Sequence, residues 1–400
     1  MLKTSAPKIS LIVSDLSKSG AGRWGGAVRP FLLAHALQRL GCEVKIFGFT
    51  QGEEAIATTP DLPIISAPGG HYPQFFKSAQ SLLQQIDGDI LYAYKPKPSS
   101  FGLSLLGKLT KGRPLILDID DWELSWNGGD SWKYRPTPKQ LAKDVLKPDG
   151  VLRNPDHRLY LGWMERLVAR ADAVTVHTQF IKQRFGGIYV PNGKDISLFD
   201  PALHDASALK ARYGLSNYRV LMFPGAPRPY KGVEDILEAL ELLNQPDLRL
   251  VIVGGSPYDD YDHQLMEKWG RWMIKLPKTP YDQMPAVIAA ADVIVVPQRD
   301  TPAAQAQFPL KLTDGMAMAK PILSTYVGDI PEILGDTGYL VKAGAPEQLA
   351  TAIRQIFAAP EVAIAQGKKA RMRCIEHYSI DAMSQQLATV LQQLVPSPGL

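Results

Sequence analysis

Residues 219–243 read RVLMFPGAPRPYKGVEDILEALELL, and the fold follows from how this stretch divides. Residues 219–224 form a short apolar run without alternation, as in a strand buried on both faces. Residues 225–232 are a loop of glycines, prolines and cations. Beyond it Val233, Ile236, Leu237, Leu240 and Leu243 recur at helical spacing. Strand, loop and helix make the first part of a βαβ unit, so a parallel sheet is expected. Similar apolar runs follow at 250–254, 273–276, 293–297, 321–325 and 339–341. An earlier series lies at 9–14, 44–49, 89–94, 115–119, 173–176 and 188–190.

Two such series predict an α/β chain of two Rossmann-like domains facing each other across a cleft. The expected boundaries are 1–195 and 196–378, with a C-terminal helix and tail over 379–400 and a hinge within 194–218. The chain's 400 residues suit two domains. Its 45% hydrophobic and 21% charged composition excludes disorder and fibrous classes. Cys42 and Cys374 match no metal or disulfide spacing, and no signal peptide or membrane span is read, which together predict a cytoplasmic protein. The net charge of +4 divides into +7 over residues 1–195 and −3 over the remainder, so anionic ligands or surfaces are expected on the first half. Nucleic acid is not expected, because no element carries dense Lys/Arg clusters with interleaved aromatics.

Three loops after strands carry candidate chemistry. The first includes Gly20, Gly22, Gly25 and Gly26 and leads into a helix with Pro30 in its first turn, where backbone N–H groups favour an anion. The second holds Arg228, Lys231 and Gly232 at another helix start and suits a diphosphate, although Lys231 alone reads equally as a solvated lysine. In the third, a helix from about Pro309 would put Lys311 and Asp314 on one face, paired with each other or with a ligand.

In order and spacing these stretches resemble the GT-B glycosyltransferases of family 4 over nearly the whole chain. The most specific pieces are Val190-Pro191-Asn192-Gly193-Lys194-Asp195, residues 231–239, residues 291–297, residues 308–321, and residues 327–334. The resemblance implies a retaining, usually metal-independent transferase with a nucleoside diphosphate sugar as co-substrate and no further cofactor. It implies that Gly25 and Gly26 approach the donor diphosphate and that Lys231 binds it. Amides near Leu310 and Lys311 would assist, Asp314 would hold the ribose, and Pro277 would lie along the base. Where the family has a Glu that touches the transferred sugar this chain has Ala306. Ala226 stands for a common Arg that Arg228 could replace, and Asp120-Asp121 stands for a His-Asp pair.

Asp118, Asp120 and Asp121 close a strand, with Asp118 and Asp120 expected on one face. Three readings stand for them: acceptor handling, with Asp120 orienting or deprotonating a hydroxyl; structural pairing with cations; or a divalent metal. Trp122 and Trp126 begin an aromatic segment suited to a sugar ring or an apolar acceptor tail. Residues 133–170 carry nine cations against four anions, a face that is either simply solvated or turned to an anionic acceptor or a membrane surface.

Taken together, a glycosyl transfer to an acceptor hydroxyl on a small molecule, glycan or lipid-linked sugar is expected. Lys231 and Arg228 would stabilise the leaving diphosphate. A nucleotide-sugar epimerase or hydrolase, with His177 as one participant, and a non-catalytic nucleotide-sugar binder are the alternatives.

Overall fold

The structure, a computed structural model, describes residues 7–17, 29–52, 61–256 and 259–394. The chain divides into two compact units, one of residues 1–192 with 383–400 and one of residues 193–382. All of the 194–218 segment therefore belongs to the second unit, with a short helix Ala206–Arg212 within it.

The first unit holds a seven-stranded parallel sheet: β1 (Lys8–Val13), β2 (Glu43–Thr50), β3 (Ile64–Pro68), β4 (Ile90–Tyr94), β5 (Leu115–Ile119), β6 (Ala173–Val176) and β7 (Ile188–Tyr189), in the order β3-β2-β1-β4-β5-β6-β7. Every residue of β4 and β5 is buried, which is why these strands read as unbroken apolar runs. β3 escaped the sequence reading. It is an edge strand paired on one side only, mostly half-buried or exposed, and flanked by Pro63 and Pro68, so it lacks the apolar continuity of its neighbours.

The second unit holds six parallel strands: β8 (Arg219–Phe223), β9 (Leu248–Val253), β10 (Met273–Leu276), β11 (Val293–Val296), β12 (Ile322–Thr325) and β13 (Tyr339–Val341). Their order is β10-β9-β8-β11-β12-β13. Alternate side chains of β8 enter two cores. Val220 and Met222 pack with Leu312 and Met316, while Leu221 and Phe223 pack with Val233, Ile236 and Leu237. The helix Val233–Leu243 thus buries the stripe that its spacing predicts.

Both sheets reverse direction of strand order once, between β1 and β4 and between β8 and β11. Loops at the carboxyl ends of the strands diverge at such a point and leave a crevice for a ligand. The last helix, Ile380–Leu394, has Ser379 Oγ accepting from Ala382 N at 3.1 Å, and Ser384 Oγ donates to Ala36 O at 2.9 Å within the first unit.

Candidate functional site

In the second unit the crevice lies between the loops that follow β8 and β11. Gly232, with φ +66°, closes the first loop against the second: a Cβ there would sit 1.8 Å from Pro297 O. Gly225, at φ +142°, lets the Lys311 stem cross the loop, since a Cβ would meet Lys311 Cε at 2.8 Å. These two contacts bring Lys231, at the end of one loop, beside Lys311, in the first turn of the helix Leu310–Ala317.

Lys231 Nζ donates to Ala226 O at 3.0 Å. Burial and then the cations of Lys311 and Arg228 hold its pKa well below the usual lysine value. Burial likewise lowers Lys311, against the pull of Asp314. The charges acting on Lys231 are cations alone, an arrangement that favours a bound anion. Arg228 leans outward, with Nη1 2.7 Å from Asp259 Oδ2. Leu310 N donates to Phe308 O at 3.0 Å, so this amide, expected to assist the donor, is satisfied by its own chain. Pro277 is exposed after β10, the edge strand two positions from β8. Gly25 and Gly26 lie outside the described residues.

Asp314 has a partner that spacing did not suggest. Its carboxylate accepts from the ammonium of Lys194, which is 2% exposed and lies 4.4 Å from the Phe199 ring centroid and 5.3 Å from that of Tyr281. The Asp314 charge raises the Lys194 pKa against burial. Asp314 therefore serves two lysines, and a ribose would share it with Lys194. The only sequence signal was Lys194 in the stretch 190–195, where nothing marks it as buried.

In the first unit the three aspartates separate. Asp118 is fully buried and fully engaged: Arg29 Nε and Nη2 each donate at 2.7 Å, and Thr175 Oγ1 donates at 2.7 Å. No oxygen of Asp118 faces solvent, which supports the structural-pairing reading for this one of the three aspartates. Arg29 Nη1 continues to Asn192 Oδ1 at 2.9 Å, and Asn192 Nδ2 lies 3.4 Å from His177 Nδ1, so His177 is a packed strand-end histidine.

Asp120, also buried, accepts from the Tyr94 hydroxyl and lies 3.5 Å from Lys95 Nζ. Lys95 reaches Glu123 at 2.6 Å, and Lys97 reaches it at 3.3 Å. Asp121 is only partly buried and accepts from Trp126 Nε1 at 2.9 Å. Burial, then the neighbouring Glu123 and Asp120, raise its pKa to about 7 against the pull of Lys95. Its proton therefore exchanges near neutrality. Among the described residues no three His, Cys, Asp or Glu side chains group to hold a metal ion.

A raised carboxyl pKa favours the folded state below the unfolded value near 4, and that contribution is lost as pH rises through about 7. Asp121→Asn is therefore expected to flatten the fall in stability between these pH values, measured by thermal melts across pH. An unchanged slope would show that Asp121 titrates normally.

Trp122 stacks under the Arg184 guanidinium at 3.9 Å, while Trp126 is 43% exposed. The helix Pro138–Leu146 of the basic segment exposes Leu141, Val145 and Leu146 beside Lys139, Lys143 and Lys147. Among the described residues no helix is long and apolar enough to cross a membrane.

Comparison with known proteins accords with this architecture. Residues 25–197 match the family described as Glycosyltransferase Family 4, and residues 218–359 match Glycosyl transferases group 1. The D-inositol 3-phosphate glycosyltransferase of Corynebacterium glutamicum is 25% identical, over 98% of this chain and 97% of that protein. A GDP-mannose-dependent alpha-(1-6)-phosphatidylinositol monomannoside mannosyltransferase of Mycolicibacterium smegmatis is 26% identical over 65% of this chain and 75% of its own length. Among solved structures, Anabaena HepE in complex with UDP-glucose superposes with a TM-score of 0.70 at 18% identity, covering 97% of this chain and 100% of that one. With both sheets in Rossmann-like order and two matched regions that together span most of its length, the chain belongs to the GT-B glycosyltransferases of family 4.

Proposed function

We propose that this glycosyltransferase moves a glycosyl group from a nucleoside diphosphate sugar to an acceptor hydroxyl with retention of anomeric configuration, without a metal. The observation that carries this reading is Lys231, held beside Lys311 and Arg228 at the carboxyl ends of β8 and β11, where among the described residues the charges acting on it are cations. A diphosphate would supply the missing anion, and its charge grows as it departs, so these cations stabilise the transition state more than the ground state. The acceptor oxygen bonds to the anomeric carbon on the face from which the diphosphate leaves. The carbon–oxygen bond to the diphosphate breaks, and the acceptor proton passes to the departing phosphate oxygen. The names of the relatives and of HepE's ligand, GDP-mannose and UDP-glucose, support this donor class.

A thermal-shift panel of nucleoside diphosphates and their sugars, with and without magnesium, identifies the donor, because a ligand of the native state raises its apparent stability. The anomeric signal of the product by NMR then reads the stereochemistry. An inverted product sinks the retaining mechanism, a magnesium requirement sinks the metal-free one, and binding without turnover across a broad acceptor panel leaves a non-catalytic binder.

Lys231 also makes donor binding pH-dependent. Its pKa is depressed in the free protein and rises when a diphosphate sits against it, so binding takes up a proton between the two values. Affinity for the identified diphosphate is expected to fall by up to about tenfold per pH unit on the alkaline side of the free-state pKa. Calorimetry in buffers of different ionisation enthalpy measures the uptake directly, and zero uptake would remove Lys231 from the diphosphate.

A further inference from the structure

The helix Pro138–Leu146 of the first unit carries its apolar stripe outward. Pro138, Leu141, Ala142, Val145 and Leu146 fall at i, i+3, i+4, i+7 and i+8, the spacing with which a surface helix normally packs on a core. Here all five are exposed, Leu146 to 76%. The one buried residue of the helix is Asp144, whose carboxylate accepts from the Tyr134 hydroxyl at 2.5 Å and from Gln140 Nε2 at 2.7 Å.

This orientation is fixed at both ends. Thr137 Oγ1 accepts from Gln140 N at 3.2 Å at the start of the helix. After its end Gly150 closes the following turn onto it, where a Cβ would meet Asp144 O at 2.3 Å. Lys147 O accepts from Gly150 N at 2.9 Å and from Arg153 Nη1 at 3.2 Å, and Arg153 Nε donates to Tyr72 O at 2.7 Å. That chain of bonds carries exposed apolar surface onward to Val151 and to Phe76, whose ring centroid lies 4.7 Å from that of Tyr72.

Cations rim the stripe. Lys139 and Lys143 run along its edge one turn apart, Lys147 follows the helix, and Lys133 and Arg135 precede it. Among the described residues none of the five pairs with a carboxylate, and Asp149 is the one exposed anion between residues 133 and 151. A contiguous exposed apolar face marks an interaction surface. Its partner must be apolar under the stripe and anionic around it. An anionic bilayer offers both along its whole surface, since lysine stems lie along the acyl boundary while their ammonium groups reach the lipid phosphates.

We propose that this face docks on an anionic lipid bilayer, with Leu141, Val145 and Leu146 in the boundary between headgroups and acyl chains and Lys139, Lys143 and Lys147 on the phosphates. The contact lies on the membrane surface and depends on neither the donor nor the acceptor of the transfer reaction.

The full chain is floated with vesicles of phosphatidylcholine, alone or mixed with phosphatidylglycerol or phosphatidylserine at equal charge. Both anionic mixtures should bind alike, at least about tenfold more tightly than phosphatidylcholine alone, and less as salt rises. Leu141→Gln with Leu146→Gln should weaken that binding by about tenfold or more. Lys139→Gln, Lys143→Gln and Lys147→Gln together should weaken it by about a hundredfold. All five positions are exposed, so both variants should melt as wild type. An environment-sensitive dye on Leu146→Cys should shift to shorter wavelength on anionic vesicles, and labelling is selective because Cys42 and Cys374 are buried.

No binding to the anionic mixtures overturns the proposal, as does an unshifted dye on bound protein or binding that both variants leave intact. Binding to only one of the two anionic lipids overturns it in favour of a headgroup site. A concentration-dependent dimer in sedimentation that Leu141→Gln with Leu146→Gln dissolves overturns it in favour of a second copy of the chain.

Discussion

Lys231→Ala is expected to lower kcat/KM by about 2–4 kcal/mol of transition-state stabilisation, roughly thirtyfold to a thousandfold. The size follows from its place, a partly buried ammonium beside Lys311 and Arg228, and from the proposed mechanism, in which a departing diphosphate gathers charge there. The same environment makes the residue a burden on the free protein, because its neighbours repel the charged form. Lys231→Met, which keeps the apolar stem and removes the charge, should therefore raise the melting temperature of the ligand-free protein, by about 1 kcal/mol of stability, while activity falls as in the alanine variant. Activity near wild type in both variants would remove Lys231 from the mechanism. A loss of stability in Lys231→Met would show that the amine's bond to Ala226 O outweighs the repulsion.

Asp118→Ala is expected to cost about 3–5 kcal/mol of stability, the penalty for leaving a buried partner charge uncompensated. Arg29 is 0% exposed, and Asp118 receives both its Nε and Nη2. Truncation would strand the guanidinium and leave the Thr175 hydroxyl without its acceptor. The double change Arg29→Met with Asp118→Leu should recover much of the loss, because apolar replacements of similar volume remove both desolvation penalties. Chemical denaturation of the three variants measures this directly. Near-additive losses in the double variant would show that the two side chains are held by separate partners.

Much of the architecture was legible from periodicity. Val233, Ile236, Leu237 and Leu240 are buried as their spacing requires, and runs such as 115–119 are strands buried on both faces. β3 was not legible, because an edge strand bounded by prolines has no continuous apolar run to detect. The second loop read as a diphosphate site from its cations; that its Gly232 packs against Pro297 O came only from the structure. Asp118 and Asp120 were placed on one face by strand alternation. Alternation could not say that one is consumed by Arg29 and the other shared with Tyr94 and Lys95.

The sequence by itself determined two parallel α/β sheets, the loops that carry Lys231 and Lys311, and a resemblance that the matched families bear out. These depend on local patterning: a period of 3.6 or an unbroken apolar run is visible within a dozen residues. Only the tertiary structure decided which charges are spent and which are free to meet a ligand. Arg29 and Asp118 are 89 residues apart, and Lys194 and Asp314 are 120 apart. No local pattern encodes such partners, because an ion pair forms wherever the fold brings two side chains together, and the electrostatics of a site is set by what remains unpaired there.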